Sequence, residues 1–330
     1  MSKLNRFWYQ KHWAAFLLRP LSYLFRFIVF IRRSLYRFGV KKTTKFSMPV
    51  IVVGNITVGG TGKTPLVSHL AHLLKSKGYR PGIVSRGFSA TAKSWPQRVT
   101  DDSDVFAIGD EVYMLRHQTG CPIVVDPDRV RAVKTLMAEN DCNIVISDDG
   151  MQHYAMHRDI EIAVVDGVRQ FGNHYCLPAG PLREPLSRLH TVDFIVTNGA
   201  SLENNFTMHL NPGEIYNVAD PSQRLSLSDC LAREWHAVAG IGHPERFFFQ
   251  LENLGFKIHG HGFPDHHAFS AADIIFAEDE FVIMTEKDAV KCKAFADHRH
   301  WCLPVRAELD AAFDDAVLER LLGLQVHFAL

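Results

Sequence analysis

Not one aspartate or glutamate occurs in residues 1–46 of this 330-residue chain, yet the segment carries eleven lysines and arginines. The other 284 residues hold the remaining 25 of the 36 basic side chains and all 36 acidic ones. A formal net charge of zero therefore conceals a basic arm and a body of net −11, and the two are read separately. Cys-x-x-Cys pairs are absent too. Cys121, Cys142, Cys176, Cys230, Cys292 and Cys302 are scattered, which excludes a disulfide framework or cysteine zinc site and points to a reducing compartment. No apolar run reaches the roughly 18–20 residues of a spanning helix, because Arg19 and Arg26 cut the most apolar segment. The same arginines, with no small-x-small site after them, exclude a secretory signal. Repeats and low-complexity tracts are missing. What remains is an ordinary globular composition, 47% hydrophobic and 22% charged, long enough for two domains.

The arm contains FLLRPLSYLFRFIVFIRRSLYRF, residues 16–38. On a helix, Arg19, Ser22, Arg26, Arg33 and Arg37 fall on one stripe, with Leu21, Leu24, Phe25, Ile28, Ile31 and Leu35 opposite. An apolar face with a basic edge suits a helix lying in a plane of anionic headgroups. Pro20 is expected to start this helix or divide it from a preceding one. The alternative is a helix packed on the body through its apolar face, with the arginines in solvent. Nucleic acid fits less well, because the interleaved residues are mostly aliphatic and offer few stacking surfaces.

Along the body, short apolar runs at 49–53, 82–85, 122–125, 143–147, 161–166 and 193–197 alternate with helical patterns such as 64–77 and 127–140. This rhythm predicts an α/β fold whose mostly parallel sheet is covered on both faces. A polar stretch at 199–230 interrupts it, and a smaller α/β unit follows with strands near 236–239 and 281–284. The expected organisation is an arm at 1–46, a core at 47–230 and a smaller domain at 231–330 that contributes to a cleft.

GNITVGGTGKTP, residues 54–65, follows the apolar MPVIVV and ends on Gly62-Lys63-Thr64. Strand, glycine-rich turn and helix are the context of a phosphate-binding P-loop, in which backbone N–H groups converge on phosphate at a helix N-terminus. Residues Thr57, Val58, Gly59, Gly60, Thr61, Gly62, Lys63 and Thr64 form the candidate cradle. Lys63 would reach the β- and γ-phosphates, and the Thr64 hydroxyl would hold Mg²⁺. The strict pattern asks for glycine five positions before Gly62, where this chain has Thr57. Val58, in place of a lysine before the paired glycines, argues against the partition ATPases. TNGA (197–200) and TEKD (285–288) do not match the order of a guanine-reading N-K-x-D, so ATP is the expected nucleotide.

NIVISDDG (143–150) ends a buried strand in Asp148 and Asp149, a natural Mg²⁺ site beside a P-loop, though an Asp-Gly turn reads similarly. AIGDEVYML (107–115) puts Asp110 and Glu111 at a helix start, where the dipole alone favours acids. HGHGFPDHHAF (259–269) gathers His259, His261, His266 and His267 around Asp265. Proton transfer, a zinc site of unusual spacing and a solvated turn all remain open there. LPAGPLREP (177–185) presents Arg183 and Glu184 on a loop that reads as a rigid connector or a substrate clamp.

Taken in order, VGNITVGGTGKTP, SRGF, GDE, DDGMQH, LPAGPLREP, FPDHHAF and TEKDAVK, behind a basic hydrophobic N-terminus, resemble the tetraacyldisaccharide 4′-kinase family. The resemblance runs from about residue 10 to residue 293. It implies transfer of the ATP γ-phosphate to the 4′-hydroxyl of a tetraacyl disaccharide 1-phosphate, a lipid A precursor, by a peripheral enzyme at the cytoplasmic face of the bacterial inner membrane. It further implies base catalysis by Asp110 paired with His266. Asp148, Asp149, Gln152 and His153 would serve Mg²⁺ and the substrate headgroup, Glu184 would lie near the metal, and Arg183 would contact substrate. Met151 stands where the family has an aromatic residue. The expected partners are the lipid and an anionic membrane surface, with no nucleic acid and no obligate protein partner. A membrane-recruited ATPase switch would leave DDGMQH and FPDHH without a use, and a soluble small-molecule kinase would leave the arm without one.

Overall fold

The computed structural model describes residues 7–9, 14–88, 90–200, 202, 204–277 and 280–328. A nine-stranded sheet is built from β1 (Val50–Gly54), β2 (Pro81–Ser85), β3 (Gln97–Val99), β4 (Ile123–Val125), β5 (Ile144–Asp148), β6 (Ile160–Asp166), β7 (Phe194–Asn198), β8 (Phe206–Pro212) and, far along the chain, β15 (Val305–Leu309). Their spatial order is β15-β8-β7-β6-β1-β5-β2-β4-β3. Pairing is parallel except at the edges, where β3 and β15 run antiparallel to their neighbours. Every residue of β1, β5 and β6 is buried, as continuous apolar runs in a two-sided sheet must be. Leu66, Leu70 and Leu74 of helix α2 (Lys63–Ser76) cover one face over Ile51, Val53 and Ile146. Ala132, Val133 and Leu136 of α5 (Arg129–Glu139) cover the other over Val50, Val52 and Val145. Short α3 (Val105–Ile108) and α4 (Asp110–Thr119) lie between β3 and β4 in the chain.

A second sheet of six strands has the order β10-β9-β14-β13-β11-β12. It comprises β9 (Ile215–Asn217), β10 (Arg224–Leu225), β11 (Glu234–Ala239), β12 (Lys257–Gly262), β13 (Phe281–Thr285) and β14 (His300–Leu303). Helices α6 (Leu227–Leu231), α7 (Pro244–Asn253) and α8 (Glu286–Cys292) accompany it, and α9 (Ala311–Phe328) closes the described chain.

These sheets divide the chain differently from the expected 47–230 and 231–330. The polar stretch 199–230 holds β8 of the first sheet and β9 and β10 of the second, so the change of sheet falls near residue 213. The C-terminal segment then returns. β15 pairs with β8, and Phe313, Val317 and Leu321 on one face of α9 fill the core of the first sheet. β8 and β10 are only partly buried and carry weak apolar signals, which is why composition placed the boundary late.

Helix α1 (Ala14–Arg37) begins before Pro20 and runs through it, against the expectation that Pro20 would start or divide the helix. Its orientation reverses that of a helix buried through its apolar face. Ser22, Phe25, Val29 and Arg33 face the body, while Phe16 and Leu17 stand 65% exposed, along with Leu21, Leu24, Phe27, Ile28, Phe30 and Ile31. The body side is polar as well as apolar. The Ser22 hydroxyl donates to the Cys176 carbonyl at 2.7 Å, Arg32 donates to the Gln152 carbonyl at 3.1 Å, and Arg33 lies 4.0 Å from Glu184. No helix among the described residues is long and apolar enough to cross a membrane.

Candidate active site

The candidate site gathers at the carboxyl ends of the parallel strands, where open α/β sheets bind ligands. β1 leads into the glycine-rich turn. Its first residues are not a turn at all. Thr57 is buried and forms a bridge with Leu182, Val58 N–H donates to the Pro181 carbonyl at 2.8 Å, and Arg183 N–H donates to the Ile56 carbonyl at 2.7 Å. The loop therefore starts as a short ladder against LPAGPLREP, and an extended threonine serves where the strict pattern has glycine. Glycine at 57 is expected to lower stability by about 0.5–1 kcal/mol through chain entropy and to leave ATP binding no tighter. Thermal melts and isothermal titration would check this, and a gain in affinity would contradict it.

The curl comes later, at Gly59 (φ 99°) and Gly62 (φ 94°). A β-carbon on Gly62 would lie 2.6 Å from the Asn198 amide and 2.9 Å from Met208, so neither conformation nor space admits a side chain. Gly60 accepts from Arg169, the Thr61 carbonyl accepts from Asn198 at 3.1 Å, and the Thr61 hydroxyl is buried without a partner. Lys63 and Thr64 open α2. The Lys63 ammonium lies 3.3 Å from Asn55 Oδ1 and 3.6 Å from Asp149, on the side where phosphate would bind.

β5 delivers Asp148 and Asp149 beside this loop. The pair is electrostatically divided. Burial, and after it the charge of Glu111, pushes Asp148 up to about 7. Desolvation also raises Asp149, whose side chain is one-third exposed, but Lys63 and Arg183 outweigh it and hold the group down at about 2. Asp149 sits in the left-handed region (φ 48°), an uncommon cost for a non-glycine residue and one met often at functional sites. One oxygen of Asp148 is buried with no hydrogen-bond partner. An unsatisfied buried carboxylate oxygen is a hard oxygen donor of the kind that suits Mg²⁺, which takes one or two carboxylates plus substrate phosphates.

Arg183 spans Asp149 at 3.0 Å and Gln152 at 3.2 Å, and Gln152 donates to the Asn55 carbonyl and to Glu184. Glu184 is nearly fully buried, and both its oxygens are engaged, by Gln152, Tyr154 and Arg188. In this arrangement Glu184 anchors neighbouring side chains. His153 is held neutral, its pKa lowered to about 4 by burial and by the charges of Arg129, Arg86 and Arg32.

Asp110 and His266, 156 residues apart, meet across the two sheets. Asp110 Oδ1 accepts its neighbour's backbone N–H at 2.9 Å, as a helix-start acid should, while Oδ2 lies 3.1 Å from His266 Nδ1. Gly109 is the cap residue of α4, so Asp110 opens the helix without capping it, and its second oxygen carries the contact to His266. His266 also has a positive φ of 60°. The other histidines of its segment go elsewhere. His261 bonds His236 at 2.8 Å and His267 lies 3.5 Å from Asp273. Among the described residues no group of three or more His, Cys, Asp or Glu could hold a metal, which removes the support for zinc.

Between the sheets lies a cavity of about 340 Å³ lined by Gly60 of the loop, Glu111, Asp265 and Lys287, with an apolar wall that includes Ile241 and Phe247. Lys287 bridges Glu111 (3.1 Å) and Asp265 (3.3 Å) and stands 3.4 Å from His266 Nε2. Sequence reasoning missed Asn55, Arg129 and Lys287 as site residues. Asn55 and Arg129 lie beside recognised motifs but carry no pattern of their own, and TEKD was weighed only as a guanine signature and a family motif.

The family model for tetraacyldisaccharide-1-P 4′-kinase matches residues 14–322. Tetraacyldisaccharide 4′-kinase of Nitrosococcus oceani is 51% identical over 97% of this chain and 94% of its own. That of Methylobacillus flagellatus is 48% identical over 97% and 96%. Among solved structures, LpxK of Aquifex aeolicus in complex with ATP is similar with a TM-score of 0.80 and 28% identity, covering 93% of this chain and 99% of that one. With its fold, loop and motif order, the chain belongs to the tetraacyldisaccharide-1-P 4′-kinase family.

Proposed function

We propose that this protein transfers the γ-phosphoryl group of ATP to the 4′-hydroxyl of a tetraacyl disaccharide 1-phosphate held at the cytoplasmic face of the inner membrane. The observation that carries the reading is the Asp110–His266 pair, assembled from both sheets at the mouth of a cleft that also contains the P-loop. Such a pair has no task in a bare nucleotide switch, whereas a sugar hydroxyl needs a group to take its proton.

ATP lies with its phosphates in the curl of Gly59–Thr64 and its base against the apolar wall of the cleft. Thr64, Asp148 and Asp149 would hold Mg²⁺, which when bound would neutralise charge on the phosphates. Lys63 follows the γ-phosphate as charge shifts toward the leaving ADP. Asp110 orients the 4′-hydroxyl and accepts its proton as the new O–P bond forms and the bond between the γ-phosphorus and the bridging oxygen breaks. His266 positions that carboxylate and shares the proton. Gln152, His153 and Arg183 face the headgroup. Glu184 serves them as an anchor through Gln152 and Tyr154.

The arm brings this machinery to the lipid. Its exposed apolar face enters the acyl boundary, and the exposed Arg26 and Arg37 meet anionic headgroups. Bonds from Arg32 and Arg33 to Gln152, Thr191 and Glu184 tie the helix to the headgroup side of the site. The test is transfer of label from γ-³²P-ATP to a tetraacyl disaccharide 1-phosphate in detergent micelles. Label on the lipid supports the kinase, and ADP release without labelled lipid would sink it.

A further inference from the structure

Behind Asp110 and His266 lies a buried ion pair that the transfer reading leaves without work. Lys291 and Asp288, one turn apart on α8, meet at 2.8 Å with side chains 2% and 0% exposed. The Lys291 ammonium is also 3.9 Å from Asp110 Oδ2 and 4.9 Å from the centre of the Phe269 ring. Asp288 works in the other direction. Its Oδ2 accepts from Gly240 N–H at 3.0 Å and from the Thr285 hydroxyl at 2.7 Å. The Gly240 carbonyl in turn accepts the backbone N–H of His266 at 3.2 Å. One helix turn thus steers both halves of the pair, Asp110 by a charge and His266 by a backbone relay.

A buried ion pair is a poor source of stability, because desolvation offsets most of the attraction, so its position asks for another explanation. We propose that Lys291, held by Asp288, is a positioning residue for phosphoryl transfer, its ammonium keeping Asp110 ionised and aimed at His266 across the two sheets. This rests on the transfer reading above. The charged groups around Asp110 are His266 and Asp265 from the loop after β12, Lys287, Asp288 and Lys291 from α8, and Glu111 from its own helix. Burial works against the Asp110 carboxylate. The hydrogen bond to His266 and the charges of Lys287, His266 and Lys291 outweigh it and hold the group below the usual carboxylate range. Lys287 is shared with Glu111 and Asp265 at the cleft, whereas Lys291 approaches from the closed side, where no substrate reaches.

The test uses the full chain in detergent micelles with labelled ATP and the acyl disaccharide. Lys291→Met is expected to lower kcat about tenfold near neutral pH while the KM for ATP stays within about twofold. Its acid limb should move up by about one pH unit, the scale of losing an opposite charge at this distance. Lys291→Arg should keep the limb where the parent has it. Asp288→Asn retains an oxygen for Gly240 but frees Lys291 for Asp110, so its acid limb should stay or move down. An acid limb unmoved in Lys291→Met, or moved up in Asp288→Asn, overturns the role, and the second result decides even if the lysine variant does not fold. If the parent itself puts no label on lipid, the transfer reading fails and takes this role with it. An active parent with superimposable profiles removes the positioning role alone.

Discussion

Lys63→Ala is expected to cut lipid phosphorylation by about 100- to 1000-fold or more, the scale of removing one fixed donor from a developing charge. The side chain is mostly buried, and its ammonium is held between Asn55 and Asp149 at the opening of α2. Among the described residues no second lysine takes that place. Arg183 is bound to Asp149 and Gln152, and Arg169 to Asp166 and a loop carbonyl. The fold should survive, because Asp149 keeps Arg183 as a counter-charge and the loop ladder at Thr57 and Val58 does not involve Lys63. Label transfer and a thermal melt on the same preparation separate the two effects. Turnover within threefold of the parent would remove Lys63 from the mechanism.

Asp110→Asn and His266→Ala should each lower kcat by about 10²- to 10⁴-fold, the usual weight of general-base catalysis, with ATP affinity kept. Asparagine preserves the contact to the Glu111 N–H and so spares the helix start, but it cannot take a proton. Because the Asp110 carboxyl is held below its ordinary range, the parent should keep a working base through neutral pH and lose it only in acid. Isothermal titration with ATP and initial rates across pH check both parts. Near-parental kcat in both variants would refute the pair.

Much of this was legible in the chain, for specific reasons. Residues 50–54 and 144–148 are strands because an unbroken apolar, β-branched run between polar turns has few other uses, and expected bounds differ from the observed ones by a residue or so. The same logic located the loop and the paired aspartates, since both sit where such strands end. The second sheet's outer strands were not legible. In β12, KIHGHG buries no residue fully and holds two glycines, so its pairing with β11 is set by tertiary contact and not by pattern. Nor could spacing show that Asp110 meets His266. Asp110 opens α4 and His266 sits in the turn after β12, and only docking of α4 against α8, through Glu111–Lys287 and Gln118–Glu286, makes them neighbours. Family resemblance supplied that pairing. It also implied a metal role for Glu184, which this fold sets against Gln152, Tyr154 and Arg188.

Under the proposed membrane mooring, the outward apolar face of α1 changes what substrate concentration means for this protein. An enzyme moored through Phe16, Leu17, Leu24, Phe27 and Ile31 searches a sheet of lipid and not a volume of water. Its rate then follows the mole fraction of acyl disaccharide in the surface. Diluting the substrate with inert amphiphile at constant total amount slows turnover, whereas diluting the whole suspension with buffer scarcely matters. So moored, the arm would turn a three-dimensional encounter into a two-dimensional one, and saturation would become a property of the film.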